Sequence, residues 1–149
     1  MSTYTQIYYH IVFSTKLRAP VLNRLDDREK MLRYMWGVAT GQNCHLYRIN
    51  AVEDHVHLLT SLHPTVCLSD FVKNLKVATT VWIKENGLFR NFSGWQDGYG
   101  AFTCGHSDKD DVIEYIKTQV EHHKRVSFVD EYRAMLKAAG IAFDEKYLN

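Results

Sequence analysis

An α+β fold with the split order β-α-β-β-α-β is predicted for this chain by three observations. Four short segments alternate or carry β-branched and aromatic residues as strands do. Two amphipathic helical segments separate them at the places that order requires. The second and third strands are joined by a tight connection at Glu53-Asp54.

Each element has its own local reason. Residues 6–14 alternate as a strand, and Pro20 lies in the following loop. Asp26 can cap a helix that runs to about Thr40, with Gly41 as its stop signal. Residues 44–53 and 55–62 read as two strands, the second ended by Pro64. A lysine-bearing helix spans about 69–85 and stops near Gly87. The glycine- and aromatic-rich stretch 89–105 contains a fourth strand at about 100–104. Together these make a ferredoxin-like antiparallel sheet with its helices on one face. A C-terminal helix over 108–124 carries Tyr115; Ser107 is its expected N-cap, and Asp108, Asp110 and Asp111 suit the positive end of the helix dipole. A shorter helix, 128–139, is ended by Gly140. No linker, repeat or low-complexity stretch divides the chain, so residues 1–149 read as one domain.

Composition narrows the class. At 149 residues, 46% hydrophobic and 23% charged, the chain can bury a core and does not resemble a disordered segment. Residues 1–6 carry no apolar leader, and no run is long enough to span a membrane, which points to a cytoplasmic protein. Cys44, Cys67 and Cys104 are odd in number and have no CxxC spacing, so they read as reduced thiols and not as a disulfide framework or zinc site. A net charge of +1 is weak for gripping nucleic acid, but distribution matters more than the total. On the 69–85 helix, Lys73, Lys76, Thr80 and Lys84 fall on a different face from the apolar stripe Phe71, Leu75, Ala78 and Trp82. That row can track a phosphate backbone, or simply be a solvated face. Lys16, Arg18 and Arg24 form a second basic group after the first strand.

The chemistry-bearing feature is His55-Val56-His57. On a strand, residues two apart share a face with Cα atoms roughly 6–7 Å apart, close enough for two imidazoles to converge on one cation. Val56 and Leu58 then face the core, and Asp54 falls in the turn, pointing away. The alternative is a pair of half-buried histidines that only fill space. Tyr115 and Gln119, four apart on a helix, add a phenol and a neutral oxygen donor on one face. The four residues supply the parts of a metal-assisted nucleophilic site.

These pieces, in this order, resemble the single-tyrosine HUH transposases of the smallest bacterial insertion sequences and their relatives associated with repetitive extragenic palindromes. The resemblance runs through YYHIVFSTK (8–16), HVHLL (55–59), FVKNLKVATTVWIK (71–84), WQDGYGAF (95–102) and EYIKTQVEHH (114–123). It implies that His55 and His57 bind a divalent cation, that Gln119 completes the metal site, and that Tyr115 attacks single-stranded DNA to give a 5′-phosphotyrosine bond and a free 3′-hydroxyl. It also implies a homodimer acting on DNA hairpins without a nucleotide cofactor, with Lys73, Lys76, Lys84, Lys16 and Arg18 as candidate DNA contacts. The hard oxygen of Gln119 favours Mg²⁺ or Mn²⁺ over zinc, with Mg²⁺ expected in the cell.

Other residues have two readings each. His122 or His123 can reach the metal or a phosphate, or cap the helix end. His10 can neighbour the histidine pair or serve as buried structure. Trp95, Tyr99 and Phe102 can stack on unpaired bases or belong to the core. A histidine-triad hydrolase needs a third alternate histidine where this chain has Leu59. A domesticated relative, or a non-catalytic nucleic-acid-binding module with an RNA-recognition-motif-like fold, is the other class the element order allows.

Overall fold

In the computed structural model, which describes residues 2–148, four strands form one sheet with the spatial order β2-β3-β1-β4. They are β1 (Tyr8–Ser14), β2 (Cys44–Ala51), β3 (His55–Leu62) and β4 (Gly100–Cys104). Every pairing is antiparallel, with His57 opposite Val12 and His55 opposite Ser14 on the central pair. The crossover helices are α1 (Leu25–Thr40) and α2 (Leu68–Glu85). This is the predicted α+β arrangement, with β2 ending two residues earlier than the sequence suggests.

Strand alternation sorts the side chains onto two faces. Ile11, Phe13, Ile49, Val56 and Leu58 pack against Met31, Met35 and Ala39 of α1 and against Phe71, Val72, Leu75 and Ile83 of α2. The buried line of α2 is therefore Phe71, Val72, Leu75, Thr79 and Ile83; Ala78 and Trp82 are only partly covered. The opposite face carries Tyr8 and Leu59, covered by Ile116, Val112, Ile113 and Tyr115. That cover is α3 (Lys109–Lys117), followed by the single turn α4 (Gln119–His122) and by α5 (Phe128–Ala138).

Three local expectations are corrected. Asp26 lies inside the first turn of α1; the capping position is Arg24, and no side chain caps that end. Ser107 sits in a 3₁₀ turn, His106–Asp108, and α3 begins after it at Lys109. The tyrosine helix is also not continuous to residue 124. It breaks at Thr118, whose hydroxyl bonds back to the Glu114 carbonyl at 2.9 Å, a competition with the helical ladder that β-branched hydroxyl residues favour. By contrast, α5 starts and stops as its sequence directs: Ser127 accepts from the Asp130 amide, and Gly140 takes a φ of +70° just past the end.

Gly100 is where β4 lets α5 approach the sheet. A Cβ there would stand 2.6 Å from Tyr132 Cε1 and 2.9 Å from its hydroxyl. Gly100→Ala is expected to push Tyr132 aside, cost about 1–3 kcal/mol as overpacking does, and loosen α5. Thermal unfolding and limited proteolysis near residue 126 check this; an unchanged melting temperature and cleavage pattern would contradict it.

Candidate metal and tyrosine site

The period of β3 turns His55 and His57 away from the α1–α2 core, and both are buried on the α3 side of the sheet. Each ring nitrogen distant from the site has a partner. His55 Nδ1 lies 2.7 Å from Asp54 Oδ1, so Asp54 sits in the turn as expected but points toward its neighbour, not away. His57 Nδ1 lies 2.8 Å from His10 Nε2, reached diagonally across the β1–β3 pair. The Nε2 atoms of both residues converge on Glu131, at 3.4 Å from His55 and 2.9 Å from His57.

Glu131 is the residue the sequence did not single out. It comes from α5, is 3% exposed, and its Oε1 is also 3.1 Å from His123 Nε2. Its Oε2 accepts the hydroxyl of Tyr115 and is 3.3 Å from His122 Nε2. The only sequence signal was its acidity one turn into a capped helix, which exposed first-turn carboxylates share. His122 and His123 thus belong to the site and do not merely cap a helix.

Donor atoms of His55, His57, His123 and Glu131 lie within 4.8 Å of one another. Three imidazole nitrogens and a carboxylate oxygen suit a divalent transition metal. Two unpartnered buried atoms support that fit: His55 Nε2 makes no hydrogen bond, and neither does Gln119 Oε1. Gln119 itself is fully buried and donates to the Tyr115 carbonyl at 3.2 Å, so it remains beside the tyrosine despite the helix break.

The electrostatics follow from burial and this pairing. Burial opposes charge on Glu131, but the imidazoles of His123, His55 and His57 around it hold it ionised far below the usual carboxylate range. Burial, then the Glu131 carboxylate, raises the Tyr115 phenol well above its ordinary value. Burial lowers His57 to about 4 against the pull of Glu131, and lowers His10 to about 3. His55 is raised: burial works against its charge, but Asp54 and Glu131 outweigh it.

The candidate DNA contacts scatter. Lys73 and Lys84 are exposed on α2, on the side of the sheet away from Tyr115, and Lys16 is exposed after β1. Lys76 is drawn inward: its ammonium donates to the carbonyls of Gln96 and Gly98 and lies 5.4 Å from the Phe13 ring, so it pins a loop and does not extend a solvent-facing basic row. Arg18 is the one brought near the site, half-buried 5.7 Å from the Phe128 ring, which lies 4.3 Å from the His55 ring. Trp95 packs edge-on against Phe13 and Phe92 in the core, and Phe102 stands near His10 and Tyr132, whereas Tyr99 stays exposed. Among the described residues no helix is long and apolar enough to cross a membrane.

Residues 3–119 match the IS200-like transposase family, a span that contains His55, His57, Tyr115 and Gln119 and stops short of His123 and Glu131. The chain is 28% identical over 121 residues to the ISDra2 transposase TnpA of Deinococcus radiodurans, covering 76% of this chain and 84% of that protein. It is 26% identical to the transposase for insertion sequence element IS200 of Salmonella typhimurium, covering 78% of each. A crystal structure of a Deinococcus radiodurans protein described as a transposase aligns with TM-score 0.58 and 27% identity, over 80% of this chain and 95% of that one. The structure of a tyrosine transposase bound to a REP hairpin shares the fold, with TM-score 0.58 and 18% identity over 85% of this chain and 76% of that one.

The neutral histidines set the acid response. An unfolded chain protonates His10 and His57 near pH 6.5, whereas the fold holds them down to about 3 and about 4. The unfolded state therefore binds more protons across that window, and stability falls as pH drops. His55, raised, acts in the opposite sense but is one group against two. With EDTA present, the melting temperature is expected to fall from pH 7 to pH 5. A rise over that interval would mean that His10 and His57 are charged in the fold.

Proposed function

We infer the activity of this protein from one premise: the chain belongs to the IS200-like transposase family. It cleaves and rejoins single-stranded DNA, with Tyr115 as nucleophile and His55, His57, His123 and Glu131 as the divalent-metal set. The observation that carries this reading is the convergence of the Tyr115 hydroxyl and two HUH-motif imidazoles on one buried point. Gln119, the expected third ligand, buttresses the tyrosine, and its unpartnered oxygen keeps it available to the same cation.

Chemically, the phenol oxygen of Tyr115 forms a bond to phosphorus as the bond to the 3′ oxygen breaks. The phenol proton is already directed at Glu131 Oε2, and the departing 3′ oxygen takes up a proton. The phosphotyrosine keeps the energy of the broken linkage, so a later attack by a 3′-hydroxyl rejoins a strand without a nucleotide cofactor. A divalent cation bound at this site offsets charge on the transferring phosphoryl group. Glu131 and a phosphodiester are both anions, and a cation held by His55, His57, His123 and Glu131 would offset their repulsion beside Tyr115.

Three nitrogens to one carboxylate oxygen favour Mn²⁺ over Mg²⁺, which prefers oxygen ligands and retained water. The substrate is a strand carrying hairpins beside the cleavage site, a reading supported by the REP hairpin in the fold relative and by the exposed Lys73, Lys84 and Lys16. A cytoplasmic homodimer is the working assembly.

Incubation with hairpin-bearing single-stranded DNA and Mn²⁺, followed by denaturing electrophoresis and peptide mapping, is expected to yield a covalent adduct at Tyr115. The adduct should vanish in Tyr115→Phe while DNA binding survives, and both metal uptake and adduct should be lost in His55→Ala or His57→Ala. Adduct formation by Tyr115→Phe would remove the nucleophile assignment; binding with no adduct from the wild type would favour a non-catalytic DNA-binding protein. Glu131→Ala is expected to weaken Mn²⁺ binding at least about tenfold, on the scale of ligand-shell changes. Unchanged calorimetric affinity would remove Glu131 from the metal set.

A further inference from the structure

His10 stands outside the set of groups that can touch the cation, yet its Nε2 lies 2.8 Å from His57 Nδ1 and it is 7% exposed. A neutral imidazole has one N–H and one lone pair, so the bonds at its two nitrogens are not independent. Glu131, a carboxylate, only accepts. Facing it at 2.9 Å, His57 Nε2 must carry the hydrogen in the metal-free chain. His57 Nδ1 is then an acceptor, and His10 Nε2 must be the donor. A cation at His57 needs the lone pair of Nε2. The hydrogen must then sit on Nδ1, whose partner among the described residues is His10.

We propose that His10 is the positioning residue for metal at His57, acting through a hydrogen bond that reverses direction when the cation binds. With metal bound, His57 Nδ1–H donates to His10 Nε2, and His10 carries its own hydrogen on Nδ1. The count balances: one hydrogen leaves His57 Nε2, one is taken up at His10 Nδ1, and both rings stay neutral. His55 is held differently: its Nδ1 already faces the Asp54 carboxylate at 2.7 Å, and its Nε2, 3.4 Å from Glu131 Oε1, makes no hydrogen bond. The two metal histidines are therefore held by unlike partners, a fixed anion for one and a reversible neutral acceptor for the other. A hydrogen bond of this kind, to the far nitrogen of a metal-binding histidine, changes metal affinity by about 10–100-fold.

This inference rests on the reading of His55 and His57 as cation ligands, and one experiment separates the two. Long-range ¹H–¹⁵N spectra of histidine-labelled protein, recorded without metal and with diamagnetic Zn²⁺, assign the tautomer of each ring. The expected result is hydrogen on Nε2 of His10 and His57 without metal, and on Nδ1 of both with Zn²⁺. Zn²⁺ signatures at His55 and His57 with His10 still carrying hydrogen on Nε2 would overturn the inference alone. No Zn²⁺ signature at either metal histidine would overturn the metal reading and the inference with it. Calorimetric Mn²⁺ titration adds a second readout: His10→Phe should bind about 10–100-fold more weakly, and His10→Gln, whose amide oxygen can accept from Nδ1, should recover most of that. Wild-type affinity in His10→Phe would also overturn it.

Discussion

A carboxylate taken out of water must find charge and hydrogen-bond partners or cost several kcal/mol, and the C-terminal half of this fold is arranged around that requirement at Glu131. His55 and His57 of β3, His123 after α4 and Tyr115 of α3 all turn toward its two oxygens. Elements that are distant in sequence are tied together at one buried group. Burial, and then the same carboxylate, raise the phenol of Tyr115 above its ordinary value. Glu131 also faces His57 Nε2, whose other ring nitrogen meets His10.

The sheet separates two kinds of work. One face, against α1 and α2, is an apolar core that anchors the strands through Val56, Leu58, Ile11 and Phe13. The other presents the intervening residues to α3 and α5, where Leu59, Tyr8 and Ile116 supply the apolar cover and the histidines the chemistry. Because α2 belongs to the first face, Lys73 and Lys84 are remote from Tyr115. Of the predicted basic contacts, Arg18, beside the Phe128 ring, is the one on the side of the sheet that carries Tyr115.

Helix breaks and glycines also serve the site. The interruption at Thr118 separates Tyr115 from the segment carrying His122 and His123, yet the Gln119 amide still reaches the Tyr115 carbonyl. Gly100 leaves no Cβ to clash with Tyr132, so α5 can bring Glu131 down onto the histidines.

The order of strands and helices, the burial of Val56 and Leu58, and the shared face of His55 and His57 were legible in the sequence, because they follow from short-range periodicity and from turn residues that act where they stand. Tyr115 and Gln119 were legible as neighbours for the same reason, even though the helix between them is broken. What sequence could not supply is the approach of residues far apart in the chain. Glu131 lies 74 positions from its partner His57, and an acidic residue in a helix's first turn reads as solvated until α5 docks. His10 was ambiguous and Asp54 was expected to point away from the pair, because the direction of a ring or carboxylate depends on a diagonal strand neighbour or a turn's exact path; the inward turn of Lys76 toward a loop carbonyl 20 residues away was likewise not legible. Local pattern fixes which face a side chain leaves from; only the packing of distant elements decides what it meets there.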